Sequence, residues 1–165
     1  MKKIWYLLKC PKGDEKDCME RCPRLVTWGK MEEIISFQYQ RMMRYNGKWH
    51  LEKRIVLPGC VFLSGSNIRM LNGNQQTDVE TELHISLTPC EPPFLRDLCQ
   101  DGILIGISRG VIRNGIPIIT SGPLKGRERL VRKIDRHKRT AEIEIPFDKE
   151  TTHVTVGLEI YEKEM

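Results

Sequence analysis

The alternation of apolar and polar positions divides the chain into elements before any residue is weighed for chemistry. Ile4 to Leu8 (IWYLL) is a continuous apolar run closed by Pro11 and Gly13, which predicts a strand buried on both faces. Asp14 stands where it can cap a helix whose apolar face is Cys18, Met19 and Cys22. Pro23 lacks the amide that the next turn needs and is expected to stop or kink that helix. From Ile34 to Leu63 the pattern turns to strands: ISFQYQRMMR and WHLEKRIVL flank Tyr45-Asn46-Gly47-Lys48. The Asn-Gly pair supplies the positive φ angles of a tight hairpin. Pro58-Gly59 then leads into a short apolar strand, Cys60 to Leu63.

Residues 64 to 82 are polar and predict an excursion with one helical turn around Ile68 to Leu71. Phe94, Leu95, Leu98 and Cys99 recur at helical spacing after Pro92-Pro93, predicting a second helix on the sheet. Glycines 102, 106, 110 and 115 punctuate the next stretch. They place a first domain at 1–108, a linker at 109–114 and a second domain at 115–165. Strand signals fill the second domain at Pro117–Thr120, Arg129–Asp135, Ala141–Ile145 and His153–Ile160. Ala141, Ile143 and Ile145 alternate with Thr140, Glu142 and Glu144. The fold class is therefore α+β: an antiparallel sheet with flanking helices, then a small five-stranded barrel.

Composition adds a location for charge. The 165 residues carry 27 Lys and Arg against 22 Asp and Glu. Residues 121–140 hold eight basic and two acidic side chains, whereas 141–165 hold two and seven. Such asymmetry favours an anionic partner, nucleic acid first among the candidates, near the C-terminal third. The apolar stretch at the N-terminus is too short for a signal sequence or a membrane span, so a cytoplasmic protein without membrane contact is expected. Six cysteines (10, 18, 22, 60, 90 and 99) are then expected to be buried thiols. Seven and three intervening residues among Cys10, Cys18 and Cys22 suit no common zinc site. No metal or other cofactor is implied.

None of the four histidines lies in a metalloprotease, phosphate-loop or nucleophile-elbow motif. Cys60 and His50 could meet across a strand pair and form a thiolate nucleophile, which keeps a thiol enzyme as the alternative from another class. The stretch from Gly122 to Arg139 is more specific. Glycine and proline set turns, Leu130, Val131 and Ile134 anchor a hairpin, and Arg136-His137-Lys138-Arg139 stands at its tip. Phosphate-binding candidates are Lys125, Arg127, Arg129, Arg132, Lys133, Arg136, His137, Lys138 and Arg139, with Arg136 and Arg139 chosen for base edges. Glu142 or Glu144 could offset part of that charge by pairing with Arg132 or Lys133 across the strands.

Trp5-Tyr6-Leu7-Leu8, Leu57-Pro58-Gly59-Cys60-Val61-Phe62 and Gly122-Pro123-Leu124-Lys125-Gly126, in that order and spacing, resemble NusG-type transcription elongation factors. The string Lys133 to Arg139 is most similar to their specialised antiterminators, the LoaP proteins. The resemblance spans nearly the whole chain. It implies an N-terminal NGN domain that binds the β′ clamp helices of RNA polymerase through an apolar patch, and a C-terminal KOW barrel. Positions matching the patch are Tyr6, Leu57, Pro58, Cys60 and Phe62. Cys60 stands where the family usually has tyrosine, and Leu57 where phenylalanine is common. For LoaP-like proteins the resemblance further implies recognition of a hairpin in a leader RNA by a monomeric, non-enzymatic bacterial factor. A general NusG-like factor, whose KOW domain docks ribosomal or termination proteins, is the alternative within the family.

Overall fold

A computed structural model describes residues 4–27, 30–66, 68–70, 77–78, 83–84, 86–100 and 102–164, with no side-chain description for 23–27, 30, 69–70, 77–78 and 83–84. In chain order the elements are β1 (Ile4–Lys9), α1 (Glu15–Leu25), β2 (Lys30–Ile35), β3 (Gln38–Tyr45), β4 (Lys48–Ile55), β5 (Cys60–Ser66) and β6 (Ser86–Cys90). A 3-10 segment, Phe94–Leu98, follows. Then come β7 (Ser108–Arg113), β8 (Ile116–Ser121), a 3-10 turn at Glu128–Leu130, β9 (Val131–Asp135), β10 (Thr140–Phe147) and β11 (Glu150–Glu164). Two-residue strands occur at Val26–Thr27, Arg69–Met70, Thr77–Asp78, Leu83–His84 and Leu104–Ile105. The protein is thus α+β and strand-rich, with α1 its α-helix among the described residues.

Two compact units emerge, one from residues 1–36 and 57–93, the other from 37–56 and 94–165. In the first, a four-stranded antiparallel sheet runs in the order β6-β1-β5-β2. Tyr6 pairs with Leu63 and Leu8 with Val61, so one face of β1 and β5 meets Cys18 and Cys22 of α1 and Ile68 in a common core. Burial of these side chains, each contributing about 1.5–3 kcal/mol when large and apolar, holds the helix to the sheet. The helix carries Pro23 in its last turn and continues to Leu25, so the proline does not end it.

In the second unit β3 and β4 form the hairpin expected at Asn46-Gly47, both residues having positive φ (53° and 73°). Leu104–Ile105 runs parallel to the start of β3. A five-stranded sheet follows in the order β8-β7-β11-β10-β9, antiparallel except for β7 beside β11. Ala141, Ile143 and Ile145 are buried, as their alternation predicts.

Several expectations are revised. Residues 109–113, read as a linker, lie in β7, because Gly110 is an in-sheet residue. A Cβ there would strike Ile118 O, so the glycine admits the β8 backbone instead of ending a domain. The hairpin at 38–55 and residues 94–108 group with the C-terminal strands, not with the N-terminal sheet. Phe94–Leu98 is a 3-10 segment, with Leu95 and Leu98 buried, where an α-helix was expected. Of the helical turn expected at 68–71, Arg69–Met70 is strand instead, paired with Val26–Thr27, and Leu71 lies outside the described residues.

Candidate nucleic-acid interface

The second unit gathers its cations at the turn between β9 and β10. Cross-strand pairing from Lys133–Glu142 to Asp135–Thr140 leaves Arg136, His137, Lys138 and Arg139 as the connection. Asp135 Oδ1 accepts from the Lys138 amide at 2.9 Å, closing the turn. That hydrogen bond, with the Lys138 charge behind it, holds the Asp135 carboxyl below its ordinary range. Lys133, Arg136, His137 and Lys138 are exposed, and none of them forms an ion pair among the described residues.

Arg139 is different. Its φ is 55°, a conformation that costs a residue other than glycine free energy and persists only where the surroundings hold it. The guanidinium lies 3.7 Å from the Trp49 ring centroid and 3.4 Å from Glu159 Oε1. Glu159 also pairs with Arg109 at 3.5 Å, and Arg109 lies over Tyr161 at 5.3 Å. Arg139, one of the two side chains chosen for base contact, is thereby fixed in place by an aromatic ring and a carboxylate. Arg136 forms no ion pair among the described residues.

The remaining predicted cations divide by what they touch. Arg132 pairs with Glu144 at 3.2 Å, the cross-strand offset read from the sequence. Arg127 donates to Pro123 O at 2.9 Å and braces the turn that begins at Gly122. That turn is built for closeness: Gly122 has φ 95°, a Cβ on it would lie 2.5 Å from Ser108 Cα, and the amide of fully buried Leu124 donates to Ser108 Oγ at 3.0 Å. Lys125 and Arg129 are exposed on this separate loop. Glu128 accepts from the Ile119 amide at 3.0 Å, which lowers its pKa and ties the loop to β8.

Sequence reasoning predicted the β3–β4 hairpin but missed its place beside the basic turn. Arg41 Nη2 donates to Lys138 O at 3.4 Å, placing β3 beside the basic turn. Arg44 lies 5.9 Å from the Trp49 ring centroid, and Tyr45 stacks on His50 at 3.7 Å with an interplanar angle of 8°. The interleaving of cations and rings in Arg41-Met42-Met43-Arg44-Tyr45-Asn46-Gly47-Lys48-Trp49-His50 was the available signal.

In the first unit the expected apolar patch is largely interior. Tyr6 and Phe62 are 8% and 4% exposed. Tyr6 belongs to the core under α1, and Phe62 lies on the opposite face of β5, where Trp5 and Leu7 of β1 are also buried. With both faces of β1 and β5 covered, alternation exposes neither ring, and the outward placement of Phe62 is corrected. Pro58 is exposed, while Leu57 and Cys60 are half-buried.

Five of the six thiols have raised pKa values. Burial pushes Cys10 and Cys22 up to about 12, Cys18 and Cys99 to about 11, and raises Cys60 as well. His50 Nε2 is 3.2 Å from Tyr45 O, engaged within its own hairpin. No group of three or more His, Cys, Asp or Glu side chains able to hold a metal occurs among the described residues. Nor, among them, is any helix long and apolar enough to cross a membrane. Neither a family model nor a curated protein matches the chain.

Proposed function

We propose that this protein is a NusG-like transcription elongation and antitermination factor of the specialised LoaP kind, which binds RNA polymerase through its N-terminal part and a structured leader RNA through its C-terminal part. The observation that carries the RNA half is the β9–β10 turn, where Lys133, Arg136, His137 and Lys138 stand exposed and, among the described residues, without an ion pair. Cations held at fixed spacing suit a fixed phosphate array, and their placement near Arg41 and Arg44 widens the surface. The five strands after residue 107 form an open sheet whose end strands, β8 and β9, are not paired with each other among the described residues, so the closed KOW-type barrel rests on the resemblance and remains part of the proposal. For polymerase, the 57–60 turn, with Pro58 exposed and Leu57 and Cys60 half-buried, is what stays accessible of the expected patch.

One observation favours a second reading within the same family. Ile116 and Ile118 on β8 and Tyr161 on β11 are 63%, 39% and 52% exposed, an apolar strip that suits a protein partner of the C-terminal part. A thiol enzyme is disfavoured by the raised thiols, because so little thiolate exists at neutral pH.

The test is capture of the tagged full chain from bacterial lysate with and without nuclease. The proposal expects polymerase in both samples and co-purifying RNA in the untreated one. Absence of polymerase from both would contradict it, and ribosomal or termination proteins without RNA would favour the second reading.

A further inference from the structure

Three clefts border the basic turn, and their chemistry differs. One is lined in part by Asp135 and Glu142, another by Glu159. The third, of about 350 Å³, is bounded by Met42, Met43, Arg44 and Trp49 of the hairpin and by His137 and Lys138 of the turn, with Arg41 behind them. Among the described residues it is lined by no carboxylate. Strand alternation puts the Met42 thioether on the face of the hairpin that carries Arg44 and Trp49, and Arg41, Arg44 and Lys138 bring positive charge to the lining.

That combination fits a ligand with a flat apolar body and an anionic edge. The size falls within the range of small-ligand clefts, the sulfur atoms pack well against aromatic edges, and the hairpin contributes five basic residues against one acidic across 38–55. We infer that this cleft takes one unpaired nucleotide of an RNA: its base lies against Trp49 and Met42, and its flanking phosphates lie against Arg44 and Lys138. The inference rests on the RNA-binding reading and deepens it, because it names the feature that the RNA must carry. A uniform duplex would present phosphates to the turn but nothing to fill the cleft. A bulged or loop nucleotide beside a stem supplies both.

Arg139 gains a reason within this arrangement. Stacked on Trp49 and tied to Glu159, it orients the indole that forms one wall of the cleft, and acts as a positioning residue for that ring.

The experiment compares three stem-loop RNAs on the full chain: one with a single bulged adenosine, one with an abasic site at the bulge, and one fully paired. Base stacking on an aromatic side chain contributes about 1–3 kcal/mol, so the bulged RNA should bind wild type on the order of 5- to 150-fold more tightly than the other two. Trp49→Ala should erase that preference while retaining salt-dependent binding, Trp49→Phe should keep most of it, and Met42→Glu should weaken the bulged RNA most. Because the abasic comparison changes only the RNA, it stands even where a variant folds poorly. Equal binding of all three RNAs by wild type, with affinity still lost on reversing the charges of Arg136 and Lys138, would overturn the cleft assignment and leave the RNA reading intact. Loss of polymerase capture by Trp49→Ala, with RNA preference unchanged, would assign the cleft to a protein and overturn it too. Absence of binding to any RNA at low salt would overturn the parent reading together with it.

Discussion

Glu15 is 2% exposed, and its carboxylate accepts from the Gly13 amide at 3.0 Å and the Gly59 amide at 2.6 Å. One side chain thereby links the start of α1 to the turn before β5, and the Cys10 amide donates to Gly59 O at 2.9 Å beside it. Replacing Glu15 by alanine leaves the buried Gly59 amide without this acceptor, a loss of about 1–3 kcal/mol, whereas exposed Gly13 can turn to water. Glu15→Ala should therefore lower the denaturation midpoint of the full chain, followed by tryptophan fluorescence, while an unchanged midpoint would show the link to be dispensable. Helical spacing sets Glu15 on the face of Cys18, Met19 and Cys22, unlike the exposed Lys16 and Asp17, but its partner turn, 44 positions away, was not legible. Phe62 illustrates the converse: its apolar character was plain, but whether a sheet face is covered depends on elements that alternation within one strand does not report. Of the six cysteines expected to be buried, Cys18 and Cys22, one helical turn apart on α1, are so, whereas Cys10, Cys60, Cys90 and Cys99 are half-buried.

At the scale of elements, hairpin signals transferred well and glycine punctuation did not. Asn46-Gly47 has one local role, whereas Gly110 and Gly157 serve close backbone approach. A Cβ at Gly157 of β11 would strike Gln40 O of β3 and come within 3.0 Å of Ile107 Cγ1. Gly157→Ala should cost about 1–3 kcal/mol by overpacking and loosen the hairpin from the sheet, seen as faster amide exchange across β3. Unaltered exchange and stability would mean that the two elements adjust freely. On the exposed face of β10 and β11, His153 Nδ1 and Nε2 lie 2.9 Å and 3.0 Å from Glu142 and Glu144. Its pKa is raised above the ordinary 6.5, chiefly by the hydrogen bond to Glu144, and that of Glu144 is lowered from 4.5, chiefly by His153. The histidine's contribution is complete below 6.5 and is lost as pH rises through its raised value; the carboxylate's is complete above 4.5 and is lost as pH falls through its lowered value. Their interaction is thus strongest between those limits. NMR titration should place the His153 midpoint above 6.5, and Glu144→Gln should bring it down; equal midpoints in both proteins would remove the pairing.

At the scale of the whole molecule, the chain visits each compact unit twice, and this was hidden because a linear reading assigns neighbouring residues to the same domain. The basic turn was legible as a run of charge, but its neighbours Arg41, Arg44 and Trp49 arrive from about ninety positions earlier. A second surface, the 57–60 turn, bears on polymerase: Pro58→Glu should reduce its capture several-fold without unfolding the chain, since the side chain is exposed, and undiminished capture would move the contact elsewhere. The claim on which the functional account turns is that fixed, unpaired cations at 133–138 bind structured RNA. The most direct measurement is the affinity of the full chain for a stem-loop RNA, an unstructured RNA of the same composition and a duplex DNA across a salt series, repeated with Arg136→Glu and Lys138→Glu together. The account predicts tightest binding to the stem-loop, affinity that falls steeply with salt, and a salt slope reduced by about 1 for each phosphate contact removed in the double variant. Equal affinities for all three nucleic acids at every salt, or a double variant that binds as wild type does, would contradict it.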